Sequence, residues 1–289
     1  MTIRAMTEEI TIEAATLDQW YVVDRLDRAP GMRADRLLGV DLAITRDRAG
    51  VITVIAEGRA APLPTRGLYG CLWTTLGAPA QEPPDIAEAG EGDRRLVVCG
   101  GVSVAASGPR VVENFLDMAH FPFVHADILG AEPHTEVASY KTEIRRDADE
   151  VWATECRFFQ PQAALSASGG IVTRYEYRVA APLATLLYKT CPTAESRRDV
   201  IALFVQPLDP DRCRAHPVMF LIDDAAPLGA LVQFQQMIFL QDKIILENQR
   251  PRLLPLAPRA EIPTRADATS IAYRRWLKQK GVRYGTVEG

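Results

Sequence analysis

The sequence predicts an α+β protein in which a mostly antiparallel sheet is followed by packed helices. Three observations predict it. Short β-branched runs broken by Gly, Pro and Asp recur from residue 20 to residue 224. One long apolar period spans about Leu228 to Asn248, and a second helical pattern closes the chain. At 289 residues, with 47% hydrophobic and 24% charged residues, the chain can bury a sizeable core.

In residues 20–77, "LLGVDLAITRD", "GVITVIAEG" and "GLYGCLWTTLG" read as strands. Residues 78–95, "APAQEPPDIAEAGEGDRR", have Pro, Gly and acids but no apolar period and read as a linker. Residues 96–289 form the second unit. Its expected strands are "RLVVCGGVSVAA", "SYKTEIRRD", "EVWATECRFF", "IVTRYEYRVA", "DVIALFVQPL" and "AHPVMFLIDD". In the long helix, Leu231, Phe234, Ile238 and Ile245 mark one buried face. In "TRADATSIAYRRWLKQKG", Thr264 is the N-cap and Asp267 lies in the first turn. Lys278 and Lys280 lie in the last turn, and Gly281 comes just past it.

The net charge of −4 leaves no basic footprint for nucleic acid or an anionic membrane. No apolar run reaches membrane length, and the acid-interrupted opening lacks the apolar core of a signal peptide. Five scattered cysteines argue for a reducing compartment rather than a disulfide framework, so the expected location is cytoplasmic.

The stretch "ENFLDMAHFPFVHADILG", residues 113–130, holds two of the four histidines. Asn114, Asp117 and His120 are spaced i, i+3, i+6, and Phe121 lies four beyond Asp117, so one helix face would carry them all. On an unbroken helix His125 falls about 140° from His120. Two imidazoles could not then share a metal at roughly 2.0–2.1 Å. Pro122 disfavours helical geometry at Phe121, and a helix ending there lets the chain swing His125 back. Two hydrogen-bonded histidines without a metal explain the same pair.

A third ligand must come from elsewhere. Asp242, in "QMIFLQDKIILENQRP", lies between Ile238 and Ile245 on the apolar stripe. A lone carboxylate there is costly unless a cation compensates it. A salt-bridged helix acid is the plainer reading, and Glu247 is a rival nearer the polar side. Together with His120 and His125, Asp242 would complete a 2-His-1-carboxylate triad, the arrangement of non-haem Fe(II) oxygen chemistry.

"NFLDMAHFPFVH" resembles the N-x-x-D-x-x-H-x4-H signature in the catalytic domain of Rieske non-haem iron oxygenases. "QDKIILENQRP" and "YRRWL" resemble the end of that domain in the branch containing vanillate, dicamba and caffeine demethylases. The resemblance covers nearly the whole chain. It implies a helix-grip (START-like) catalytic domain over 96–289, with His120, His125 and Asp242 as ligands of one mononuclear Fe(II). It makes Asp117 the acid that passes electrons from a neighbouring subunit toward His120, with Asn114 beside the site as a second catalytic residue. It implies an O2-dependent monooxygenase or demethylase, an oxidoreductase of aromatic catabolism, acting on a small aromatic or heteroaromatic compound within a trimer or hetero-oligomer.

That family also carries an N-terminal domain whose [2Fe–2S] cluster sits on C-x-H and C-x2-H. Neither pattern is present, since Cys71, Cys99, Cys156, Cys191 and Cys213 have no histidine at those spacings. Yet "WYVVDRLDRAP" and "RLLGVDLAITRDRAGVITVIAEG" resemble the opening of that domain. "LPTRGLYGCLWTTLG" resembles its closing strand, and "GRAAPLP" joins the two ends. Residues 1–77 therefore read as a truncated Rieske-like β domain without its cluster-binding loops, and the cysteines as small buried hydrophobes. The chain is similar to the cluster-lacking component of caffeine N-demethylase systems.

No Gly-rich nucleotide fingerprint precedes a helix. Electrons are then expected in trans, from a Rieske-containing oxygenase subunit or reductase. The alternative is a non-catalytic structural subunit of a hetero-oligomeric Rieske oxygenase. An intact triad counts against it, because buried ionisable groups cost stability when unmetallated. Phe158, Phe204, Met219 and Phe220 read equally as cavity lining or core, and His134 and His216 lie in loop-like settings with no role.

Overall fold

The computed structural model describes residues 2–5, 8–165, 169–222 and 225–288. Strands β1 (Thr2–Ala5) and β2 (Glu8–Thr11) form a hairpin, followed by one helical turn, α1 (Ala14–Leu17). Six short strands come next: β3 (Tyr21–Arg25), β4 (Gly31–Leu37), β5 (Val40–Arg46), β6 (Ile52–Ala56), β7 (Thr65–Leu68) and β8 (Cys71–Thr74). They build two antiparallel sheets, ordered β4-β5-β6 and β3-β8-β7. The single strand expected in "GLYGCLWTTLG" is instead a hairpin. Tyr69 (φ 58°) and Gly70 (φ 70°) supply the two left-handed positions that a tight turn between twisted strands requires.

The second unit begins with β9 (Arg94–Val98), β10 (Val102–Val104), α2 (Gly108–Leu116) and α3 (Phe121–Val124). Then come β11 (Lys141–Arg145), β12 (Glu150–Gln160), β13 (Ile171–Ala181), β14 (Ala184–Cys191), β15 (Ala194–Asp209) and β16 (Arg212–Ile222). These eight strands make one antiparallel sheet, ordered β10-β16-β15-β14-β13-β12-β11, with β9 also on β16. The predicted α+β class is the observed one.

Strand β14 is absent from the strands read in the sequence. "ATLLYKTC" is almost wholly buried, because its two faces meet different layers, and the polar alternation that marks a half-exposed strand is lost. Leu186 and Tyr188 share an apolar cluster with Val22, Trp73, Phe204 and Phe220, so the N-terminal sheet β3-β8-β7 covers the outer face. Leu187 points the other way, into the cluster shared with the helices. Strand β9 starts at Arg94, two residues inside the expected linker. The rest of that segment is pinned at the surface, where Trp20 Nε1 donates to Gln81 O (2.8 Å) and Tyr69 Oη to Pro84 O (2.9 Å).

The inner face carries α4 (Leu228–Asn248) and α5 (Ala268–Lys280) together with α2. The extent of α4 is the expected one, but its buried stripe is Leu231, Gln235, Phe239, Asp242 and Leu246, while Ile245 is 48% exposed. The helix is thus turned by about one position from the expected face, which puts Asp242 squarely inside. Thr264 and Asp267 form a reciprocal capping box on a 3₁₀ turn leading into α5, and Gly281 (φ 73°) closes it. Among the described residues, no helix is long and apolar enough to cross a membrane.

Candidate metal centre

Helix α2 opens at Ser107, whose hydroxyl accepts from Arg110 N–H, and it stops at Leu116. The continuous helix expected from Asn114 to Phe121 does not form. Asp117 is already extended (ψ 130°), and its Oδ1 accepts from Ala119 N–H at 2.8 Å, a local turn that competes with helix propagation. Pro122 therefore does not end a helix. It lies in the first turn of α3, where its missing N–H costs nothing.

His120 is the N-cap of that single turn and His125 its C-cap, the latter with non-helical φ −114° and ψ 42°. Being outside a regular helix, the two rings escape the 140° separation. Their Nε2 atoms approach to 3.2 Å. Asp242 of α4 completes the group, with Oδ1 3.2 Å from His120 Nε2 and 2.9 Å from His125 Nε2.

The outward nitrogens decide what faces inward. His120 Nδ1 donates to Asp117 Oδ2 (3.0 Å) and His125 Nδ1 to Gln241 Oε1 (2.8 Å). In the neutral tautomers both Nε2 lone pairs then point at Asp242 Oδ1, which is buried and receives no hydrogen bond. Three lone-pair atoms at this separation repel unless a cation lies among them. Ligand atoms about 2.0–2.2 Å from one ion, at right angles, would be about 3 Å apart. The donor set fits a metal. Without one, a proton takes part of that role. Burial alone would lower His120, but the carboxylates of Asp117 and Asp242 outweigh it and push its pKa up to about 9. Burial likewise opposes the ionised Asp242, yet the two imidazoles hold its pKa below the usual carboxylate range.

Among the described residues, His120, His125 and Asp242 are the one group of three or more His, Cys, Asp or Glu side chains close enough to share an ion. The rival Glu247 is engaged elsewhere, accepting from Ala105 N–H (2.9 Å) and pairing with Lys243. All five cysteines are buried and free. Burial pushes the thiols of Cys71, Cys99 and Cys156 up to about 12, so they stay protonated.

The triad lines a cavity shared with Asn114, Phe121, Phe234, Ile238, Phe239 and Met219. Phe158 packs edge-on against Phe121 (5.5 Å between centroids), whereas Phe204 and Phe220 face the opposite side and meet Tyr69. His216, expected in a loop-like setting, is buried in β16 with its ring 3.0 Å from Gln206 Oε1. Sequence reasoning missed Gln241, and it missed the cavity residues Tyr175, Tyr177, Lys189 and Asp199. The alternation of "IVTRYEYRVA" places both tyrosines on one face of β13 and could have flagged them.

Residues 104–283 match the vanillate O-demethylase oxygenase C-terminal domain. Over 275 residues, 94% of this chain and 97% of the relative, the sequence is 47% identical to a probable methylxanthine N7-demethylase, NdmC, of Pseudomonas sp. (strain TJI-51). It is 26% identical to the methylxanthine N1-demethylase NdmA of Pseudomonas putida, over 73% of this chain and 58% of that one. The structure of NdmB from Pseudomonas putida CBB5 superposes with a TM-score of 0.71 at 17% identity, covering 92% of this chain and 91% of that chain.

Proposed function

This chain belongs to the family of oxygenases that share the vanillate O-demethylase oxygenase C-terminal domain, and on that premise we propose that it is the mononuclear iron component of a methylxanthine N-demethylase. The observation that carries the reading is the convergence of two imidazole lone pairs on a buried, hydrogen-bond-free carboxylate oxygen at the wall of an apolar cavity. The chemical class is that of an oxidoreductase. Replacing N–CH3 by N–H consumes O2, two electrons and two protons, and releases formaldehyde and water.

His120, His125 and Asp242 are the residues that would hold Fe(II), which when bound supplies the O2-activating redox chemistry that no side chain here possesses. Asp117 and Gln241 fix the tautomers of the two imidazoles so that both Nε2 atoms stay available. The aromatic and aliphatic walls exclude water and give a flat heterocycle a dry slot. Asn114 borders the slot beside the triad.

In this reading residues 1–77 are a Rieske-like remnant without a cluster, 78–95 a linker and 96–289 the catalytic domain. Electrons come from a Rieske-bearing subunit or reductase within a trimer or hetero-oligomer. One fact supports the remnant: all five cysteines are buried, and the thiols of Cys71, Cys99 and Cys156 stay protonated, a state unfit for cluster ligands. The test is iron analysis combined with a reconstituted assay. Purified protein should hold about one iron per chain, as one triad provides one site. With O2, 7-methylxanthine and a Rieske-bearing reductase supplied with a reduced nicotinamide as electron donor, it should release formaldehyde. A [2Fe–2S] signal stoichiometric with the chain, or no formaldehyde from any methylxanthine, overturns the reading.

A further inference from the structure

One line of residues across the inner face of the large sheet is polar throughout. Tyr175 on β13 lies opposite Lys189 on β14, and Lys189 lies opposite Asp199 on β15. The neighbouring line runs Tyr177, Leu187, Ile201, Met219. All of these residues line the cavity that holds the triad.

Residues directly opposite on adjacent strands have side chains within reach of one another, so the first line is a continuous polar band across the cavity wall. Its groups are under-used. Tyr175 Oη is buried without a hydrogen-bond partner. Lys189 is 9% exposed and donates one hydrogen bond, to Ala163 O. Asp199 is 4% exposed, and its Oδ1 accepts from Ile222 N–H at 2.9 Å. Among the described residues, no ion pair joins Lys189 to Asp199 or to any other acid. Burial works against both charges, lowering the pKa of Lys189 and raising that of Asp199.

An apolar core gains nothing from three such groups, whereas a ligand slot does. Lys189 has N–H donors to spare, Asp199 has a second carboxylate oxygen, and Tyr175 can donate or accept. A flat ring held between Phe121, Phe234 and Phe239 and carrying neighbouring C=O and N–H groups matches that pattern. We propose that Tyr175, Lys189 and Asp199 form the band that reads the amide edge of the substrate's heterocycle. Lys189 donates to a ring carbonyl, and Asp199 accepts from an unmethylated ring N–H. This inference rests on the methylxanthine reading above.

Anaerobic calorimetric titration of the iron-loaded protein separates the two claims. The ligands are 7-methylxanthine, which keeps its two ring N–H groups in the dione ring, and 1,3,7-trimethylxanthine, which has none. Wild type should bind 7-methylxanthine the more tightly. Lys189→Met should weaken both ligands by about tenfold or more, the scale of a lost charge-assisted hydrogen bond. Asp199→Asn, which offers a donor where the acceptor stood, should remove the preference for the free N–H. Tyr175→Phe should weaken 7-methylxanthine without lowering thermal stability, because the hydroxyl it deletes has no partner in the free protein. If Lys189→Met does not fold, the other two variants decide. Wild-type binding of 7-methylxanthine by all folded variants overturns the band while the demethylase reading stands. A wild type that binds neither compound overturns both.

Discussion

Oδ1 of Asp242 lies 2.9 Å from Nε2 of His125, and with both imidazoles neutral no hydrogen bond reaches that oxygen. A buried acceptor left in this state is destabilising unless a cation uses it. Asp242→Ala should therefore weaken iron binding by more than about 100-fold, beyond the usual loss for removing an outer hydrogen bond to a metal ligand. Glu247→Ala should keep its iron and lower stability by about 1–2 kcal/mol, because it loses a partly solvated ion pair with Lys243 and the hydrogen bond from Ala105 N–H. Metal analysis after dialysis against a weak chelator reads both. Equal iron in wild type and Asp242→Ala would move the third ligand elsewhere.

Gln241 precedes Asp242 on α4 and receives the Nδ1–H of His125. One helix thus supplies both the proposed ligand and the group that aims another. Gln241→Leu keeps the volume and deletes the acceptor, so the His125 ring is free to take the wrong tautomer. Iron affinity should fall about 10- to 100-fold with the fold intact. An unchanged affinity, measured by competition with a chromogenic chelator, would leave Gln241 without a role at the site.

These two adjacent residues also show how far the sequence could be read. Asp242 was legible because a carboxylate interrupts an apolar helical period, and its burial holds even though α4 is turned by one position from the expected face. Gln241 was not legible, since a neutral amide on a partly exposed face carries no such conflict. The approach of His120 to His125 has a different local cause from the one the sequence suggests. Asp117, not Pro122, breaks the helix, by folding its own carboxylate onto Ala119 N–H. Strand β14, and Lys189 with it, was hidden because a strand buried on both faces shows no alternation.

His216 gives the clearest acid dependence of stability. Burial, reinforced by Arg214, Arg33 and Arg28 against the opposing Asp35, pushes its pKa down to about 3 from an ordinary 6.5. The folded state therefore keeps this ring neutral where the unfolded chain protonates it. Its contribution is complete above pH 6.5 and is lost as pH falls from 6.5 toward 3, on the order of 4 kcal/mol at the acid end. His216→Gln should flatten the fall in Tm over that range while costing some stability at pH 7.5. Parallel pH profiles for the two proteins would assign the acid lability to other groups.

Replacing Asp117 should separate electron delivery from iron binding. Its Oδ2 receives His120 Nδ1–H at 3.0 Å, and a quarter of its side chain remains exposed, so it touches both the proposed ligand and the surface. Asp117→Asn keeps the size and one acceptor while removing the charge that steadies the imidazole and would meet a donor protein's metal centre. Iron should stay bound, within about tenfold of wild-type affinity, because the hydrogen bond to His120 survives in weaker form. Turnover driven by a Rieske-bearing partner should fall by at least about 100-fold, the scale on which a lost charged contact of several kcal/mol appears in a rate. Hydrogen peroxide, which supplies oxygen and both reducing equivalents together, bypasses the partner and should retain most of its activity. If both routes fall equally, Asp117 serves the iron site itself. If neither falls, electrons enter by a path that does not cross His120.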